Sequence, residues 1–373
     1  MLRSRVRSML AAAVVGAILL ATLGGASSAS AARTISAVYT LSNAPTGNAV
    51  LVWQRASDGT LTSAGSYPTG GLGTGGGLGS QGALVLSDNG RWLFAVDAGS
   101  NEISSFRVDR AGLTLTGHVA SGGILPTSLT VSDDLLYVLN AGDAGNITGF
   151  RIKDDGALQP IAESTRPLSG NATAPAQVSF SPDGDLLIVT ERATNQIDIY
   201  KVRSGGRVTG PRVFPSSGAT PFGFAFGKRG SLIVSEANGA PGASAASSYR
   251  LDDDELELVS GSVSTTQGAA CWVVVTRNGR YAYTANAGSG SISGFRIARD
   301  GTLTLLNADG RTGVTGDGSG PTDLALSHNS QFLYVRNGRN NTIGAFAVAS
   351  DGSLQPIAGA EGLPAGTAGL AAW

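Results

Sequence analysis

The chain has 373 residues, 54 of them glycine, with only 14% charged residues and a formal charge of −1. Nothing in this near-neutral balance recommends nucleic acid or anionic membrane as a partner, and a single cysteine excludes an intramolecular disulfide. Length alone admits two domains, but so many turn formers with so few charges point to one large all-β domain with little helix surface.

The N-terminus reads as a targeting segment. Arg3, Arg5 and Arg7 precede an apolar run over residues 9–23, and Ala29-Ser30-Ala31 offers small residues for cleavage. We expect residues 1–31 to be a secretory signal peptide and residues 32–373 to be the mature, extracellular domain. The run is shorter than the ~20 residues that span a bilayer, so no membrane association is expected after cleavage. Removing three arginines leaves a charge near −4.

From residue 81 onward one unit recurs. Its clearest copy, residues 125–160, holds four short runs rich in Leu, Val, Ile, Tyr and Phe, broken by Ser-Asp-Asp and Lys-Asp-Asp-Gly turns. Copies start at 81, 126, 175, 221, 270 and 321, a spacing of 45 to 51 residues that matches four-stranded propeller blades. Strands such as LLYVL and LLIVT are apolar on both faces, as neighbouring blades require. Residues 37–61 match the second and third strands of the unit without a first strand, and residues 363–373 resemble a first strand without the rest. Together they make a seventh blade. The expected fold is therefore a seven-bladed β-propeller of four-stranded antiparallel blades, closed by the C-terminal strand.

Residues 69–81 contain a glycine-rich stretch that formally spells a dinucleotide fingerprint, Gly71-Leu-Gly73-Thr-Gly-Gly76. A strand follows where that motif needs a helix, so the stretch reads as a flexible loop between the first two blades, or a lid over a ligand. No cofactor is expected.

Strand order places the candidate site at one mouth of the central channel. The second strands end at Asn43, Asp97, Asn140, Glu191, Glu236, Asn286 and Asn337, one per blade. Asn and Asp are common turn caps. Glutamate is a poor one, so Glu191 and Glu236 are the candidates for catalysis, with Arg192 and Arg336 beside the same mouth to clamp an anion. Asp97, Asn140, Asn286 and Asn337, with Gln177 and Asp323 two residues into their first strands, are the candidate substrate-binding positions. His118 and His328 lie away from this mouth, the acidic run 252–255 fills a turn, and Cys271 reads as a buried hydrophobe beside Trp272. No metal site is expected.

The repeat resembles the lactonase-family seven-bladed propellers, which include a type of 6-phosphogluconolactonase and the fungal 3-carboxy-cis,cis-muconate lactonizing enzyme. SPDGDLLIV at Ser181, YVLN at Tyr137, YVRN at Tyr334 and the Phe-Arg-Ile and Asp-Gly-x-Leu endings carry the resemblance, and the two Tyr-Val motifs also look like the repeat of YVTN propellers. The resemblance implies a Pro-His-x-His segment just before the strand that runs into SPDG, and an acidic residue, Glu191, at the end of the next strand. Here that segment is Thr173, Ala174, Pro175 and Ala176, with alanine at both histidine positions. Two functions follow as expectations. One is a lactone hydrolase in which Glu191 or Glu236 activates water and Arg192 or Arg336 holds an acidic substrate. The other is a non-catalytic propeller that binds a glycan or an envelope partner. The expected state is a monomer.

Overall fold

The computed structural model describes residues 36–373, apart from 229. The signal-peptide expectation for residues 1–31 lies outside the described residues.

Seven antiparallel sheets form the ring, and each is hydrogen-bonded in the order inner, second, third, outer strand. Blade 1 runs from the inner strand Ala368–Ala372 through Ala37–Leu41 and Ala49–Arg55 to Leu61–Pro68, so the two ends of the chain share one sheet. The inner strands of blades 2 to 7 are Leu84–Leu86, Pro126–Ser132, Pro175–Phe180, Pro221–Phe226, Ala270–Val275 and Pro321–Leu326. Blades 3 and 6 each carry an extra two-residue strand on the third strand, Arg166–Pro167 and Gly313–Val314. The expected fold and its closure are what the molecule shows.

Burial explains why the second strands look the way they do. Trp92–Asp97, Leu186–Glu191, Ser231–Glu236, Tyr281–Asn286 and Phe332–Asn337 are buried at every position. A neighbouring blade covers each face, so both sets of alternating side chains must be apolar or internally hydrogen-bonded.

The repeat motifs prove to be the fasteners between blades. In the Tyr-Val-x-Asn and related segments, the tyrosine hydroxyl donates to the carbonyl of a turn glycine in the next blade. Tyr137 bonds Gly206 at 2.7 Å, Tyr283 bonds Gly352 at 2.8 Å and Tyr334 bonds Gly59 at 2.8 Å, the last crossing from blade 7 to blade 1. The Asp-Gly-x-Leu turn is the receiving end at Gly59 and Gly352, and a Gly-Gly turn is the receiving end at Gly206. Gly59, Gly156 and Gly352 have φ near +90°, +85° and +89°, and a Cβ on any of them would strike the aromatic ring that opens the previous blade's second strand, Phe332, Trp92 or Tyr281. Only glycine meets both demands, the left-handed backbone and the face-to-face approach.

Candidate functional site

The ring of polar residues at the second-strand ends is present, and its side chains are turned into the blades. Asp97 is fully buried. It accepts Asn48 Nδ2 at 2.9 Å, Thr69 Oγ1 at 2.5 Å and Ser104 Oγ at 2.6 Å, which binds the blade 1 to blade 2 connection to the strand end. Asn43 holds the glycine-rich segment by accepting Thr74 N at 2.9 Å and donating to Gly76 O at 2.5 Å, and it also donates to Gly366 O, before the closing strand, at 3.2 Å. Asn140 donates to Ser121 O and Asn146 Oδ1, Asn286 to Ser291 Oγ and Ser293 Oγ, and Asn337 to Thr342 Oγ1. Gln177 uses its side-chain amide as a strand would, donating to Phe224 O at 3.0 Å and accepting Phe224 N at 2.7 Å, and so joins the inner strands of blades 4 and 5. These six are buried and tied within the fold.

Asp323 and Arg336 are likewise enclosed, at the seam where blade 7 meets the closing strand. Arg336 donates to Thr322 O at 2.8 Å and Thr367 Oγ1 at 3.3 Å. Burial pushes the Asp323 carboxyl up to about 7, with the Arg336 charge opposing, and brings Arg336 down to about 10. Glu236 is buried and accepts the Ser247 hydroxyl.

Glu191 is fully buried and held by the segment that joins blades 3 and 4. Its Oε1 accepts Ser169 N at 3.0 Å, and its Oε2 accepts Ser169 Oγ and Thr194 Oγ1, both at 2.5 Å. Ser169 N also donates to Asp198 Oδ2 at 3.1 Å. Asp198 lies on the third strand, Gln196–Val202, where Ile197 and Ile199 alternate with it. An acid in the middle of an apolar strand is the sequence signal that marks this residue, which is not among the candidates drawn from the strand ends. Burial first, then the hydrogen bond and charge of Glu191, raise its carboxyl to about 8.

Arg192 is different. It is half-buried at the channel mouth, its Nε donating to Ala174 O at 3.0 Å and its guanidinium lying 5.4 Å from the centre of the Phe222 ring. Its terminal nitrogens face Gly79, where a Cβ would come within 3.4 Å of Nη1. Burial lowers its pKa, but a guanidinium stays charged at any physiological pH. Phe222 packs edge-on to Trp272, with ring centroids 4.9 Å apart, and Ala176 and Cys271 complete an apolar wall. One of the two alanines in place of histidine thus lines this wall, and the other, Ala174, supplies the carbonyl that orients Arg192. Burial pushes the Cys271 thiol up to about 12, which removes it as a nucleophile.

The glycine-rich segment is not a free linker. Backbone bonds from Gly73 and Gly75 to Ala44 and Asn43 dock its first half on blade 1. Its far end crosses the channel. Ser80 Oγ donates to Thr127 O in blade 3, Gln81 N to Ala176 O in blade 4, and Trp272 Nε1 of blade 6 to Ser80 O at 2.8 Å. The Gln81 side chain closes a pair of bonds to Val273, at 2.7 and 2.9 Å. The inward edges of inner strands carry backbone groups that need partners, and this segment supplies them. It therefore floors the mouth beneath Arg192.

The opposite face offers an open cleft of about 360 Å³ lined by Arg277, Tyr281, Ser330 and Ser350 among others, but its cation is engaged, Arg277 lying 2.8 Å from His328 Nε2. His118 sits within the outer strand of blade 2, paired with Glu102 at 3.1 Å. The acidic turn at 252–255 pairs with Lys201 and Arg212. Among the described residues no group of three His, Cys, Asp or Glu side chains is placed to hold a metal ion.

Comparison with known proteins agrees with this architecture. A model of the lactonase seven-bladed β-propeller family matches residues 46–167, 161–240 and 234–323. The 6-phosphogluconolactonase of Bacillus subtilis is 22% identical over 68% of this chain and 76% of its own length. That of Pectobacterium atrosepticum is 24% identical over 84% and 92%. Among solved structures, a Lactobacillus plantarum protein superposes with a TM-score of 0.74 at 19% identity, covering 90% of this chain and 98% of its own. The periplasmic gluconolactonase of Pseudomonas aeruginosa gives 0.70 at 17% identity, covering 88% and 98%. These structural likenesses are likenesses of fold.

Proposed function

Because the chain belongs to the lactonase seven-bladed β-propeller family, we propose that it hydrolyses a sugar-acid lactone at the channel mouth, in the manner of a 6-phosphogluconolactonase, with Arg192 anchoring the substrate's anionic group. The observation that carries this reading is the presentation of Arg192. Its Nε is bonded to Ala174, its face lies on Phe222, and its two terminal nitrogens, on the side of Gly79, take no hydrogen-bond partner among the described residues, so they are left to receive a carboxylate or phosphate in the plane of the guanidinium.

Opening a lactone needs a base for the attacking water and donors for the developing oxyanion. Glu191 remains the proposed base, with Glu236 as the other candidate. Since its carboxylate is enclosed, it acts in this reading through a hydroxyl already bonded to it, Ser169 or Thr194, which passes the water's proton inward. Ser169 is itself exposed to solvent. No histidine takes part, consistent with alanine at 174 and 176.

The test is turnover of 6-phosphoglucono-δ-lactone and glucono-δ-lactone by purified protein, followed by acid release. Arg192→Met should raise KM for the phosphorylated lactone about tenfold or more, the loss expected for one charged hydrogen-bonding contact, with thermal stability nearly unchanged. Glu191→Gln should lower kcat by about a hundredfold, the usual scale of general-base catalysis. Rates no higher than spontaneous hydrolysis, or an Arg192→Met variant with unaltered KM, would overturn the reading.

We also propose that the protein is exported, on the strength of Arg3, Arg5 and Arg7, the apolar run over 9–23 and Ala29-Ser30-Ala31. N-terminal sequencing of protein recovered from the producing cells should begin near residue 32, and an intact Met1 in the mature material would refute export by cleavage.

A further inference from the structure

We propose that Asp198 is a positioning residue: with Glu191 it forms a carboxyl pair holding one proton, which pins Ser169 and, through residues 169–174, keeps Arg192 in its anchoring position until alkaline pH removes that proton. The anchoring half of this inference rests on the reading of Arg192 given above.

The geometry is that of two acids with one partner between them. Both side chains are fully buried, and a single amide, Ser169 N, donates to Glu191 Oε1 at 3.0 Å and to Asp198 Oδ2 at 3.1 Å. Tyr200 of the same strand adds a long contact to Oδ2 at 3.4 Å, while its hydroxyl also bonds Pro167 O at 2.9 Å. Asp198 Oδ1 is buried without a hydrogen-bond partner among the described residues, so no donor is there to stabilise a charge on it, as holds for a carboxyl that keeps its proton. Two carboxylates this close cannot both ionise away from water without a cation.

Among the described residues no cation serves them. On the joining segment, Arg166 is turned to Glu163 O and Thr165 O, and Arg192 after the second strand is turned to Ala174 O. Arg212 on the outer strand pairs with Asp254 and Glu255, and Lys201 with Asp253 and Asp254. From blade 3 the packed titratable group is Tyr137, whose hydroxyl is committed to Gly206.

The pair connects to the mouth through a short, strained segment. Ala172 and Ala174 have φ of 55° and 48°, a left-handed conformation that alanine adopts only when held there. Ser169 is its fastening at one end. At the other, Ala174 O accepts Arg192 N at 3.3 Å and Nε at 3.0 Å, and Thr173 O accepts Ala193 N at 3.0 Å. Freed at Ser169, the segment loses the restraint that keeps the Ala174 carbonyl on the guanidinium.

The direction with pH follows from a carboxyl raised in the folded state. Asp198 keeps its proton at neutrality and gives it up as pH passes about 8. Its contribution to stability is whole below the unfolded value of about 4, declines as pH rises, and is gone above about 8.

Two measurements decide the inference. In the free protein, hydrogen exchange of residues 169–174 and 192–193, corrected for intrinsic rates, should lose protection between pH 7 and pH 9, and Asp198→Asn, whose amide donates to Glu191 at every pH, should stay protected. Calorimetry with 6-phosphogluconate, whose phosphate is already mostly dianionic at pH 7 and grows no less negative above it, should show affinity about fivefold or more weaker at pH 9, a drop absent in Asp198→Asn. Unchanged protection in the wild type, or an equal loss in the variant, would overturn the proposal. Should Asp198→Asn fail to fold, a carboxyl-carbon titration of the wild type with assigned signals replaces it: the Asp198 carboxyl is expected to titrate between pH 7 and 9, separately from Asp323 near 7, and an Asp198 signal titrating below pH 6 would refute the pair. An absence of 6-phosphogluconate binding at both pH values would overturn the anchoring role and the Arg192 reading, while exchange and titration still decide the proton pair.

Discussion

A chain ended at residue 362 should no longer form a closed monomeric ring. Residues 363–373 supply the inner strand of blade 1, whose Ala368, Ala371 and Ala372 pair with Leu41, Tyr39 and Val38. Thr40 Oγ1 donates to the carbonyl of Gly369 at 2.5 Å, and Arg55 reaches the Trp373 main-chain oxygen at 3.2 and 3.3 Å. The Trp373 ring stacks on His328 of blade 7, with centroids 4.3 Å apart. Leu363 and Leu370 are both buried, and at roughly 2 kcal/mol each their loss costs about 4 kcal/mol before any ladder bond is counted. That is a large part of the ~5–15 kcal/mol by which domains are stable. The truncation also exposes a hydrophobic strand edge, so size-exclusion chromatography should show association, and melting should fall steeply. A monomer with an unchanged melting temperature would show that the ring does not depend on this strand.

Asp97→Ala should be the most costly single change at the channel mouth, at about 3–5 kcal/mol in chemical denaturation. It removes the shared acceptor of three buried donors, Asn48, Thr69 and Ser104, at about 1–3 kcal/mol for each left unpaired, and the total stays below three full penalties because the Thr69 and Ser104 hydroxyls can turn to Asn48 O at 3.2 Å and Thr69 O at 2.9 Å. Asp97→Asn, which retains one acceptor oxygen, should cost distinctly less. The expected pattern is a loss of stability with lactone affinity little changed in whatever protein remains folded. A variant of normal stability and poor affinity would instead make Asp97 a substrate contact, as its position in the sequence suggests.

These two cases mark the boundary between what each level of description can reach. The strand runs, their 45 to 51 residue spacing and the split unit at the two ends are local properties of the chain. They therefore determine seven blades and the closing strand without reference to any contact, because each blade must bury both faces and each edge must find a partner. The polar residues at the second-strand ends are legible in the same way, as positions.

Their use is not. Whether Asp97, Asn140 or Gln177 faces substrate or fastens a neighbouring loop depends on which donors arrive from connections tens of residues away, such as Thr69 on Asp97 and Phe224 on Gln177. The same holds for Tyr137 and Tyr283 in blades 3 and 6, whose partners are turn glycines 69 residues onward in the next blade. Likewise the glycine-rich segment reads locally as a linker, and only the ring, with its unpaired inner-strand edges, turns residues 80–82 into the floor of the mouth. Asp198 shows the limit most clearly. Its carboxyl becomes half of a one-proton pair because folding brings Glu191 and a single amide to it and leaves water and cations outside, and burial and proximity of that kind are created by tertiary packing alone.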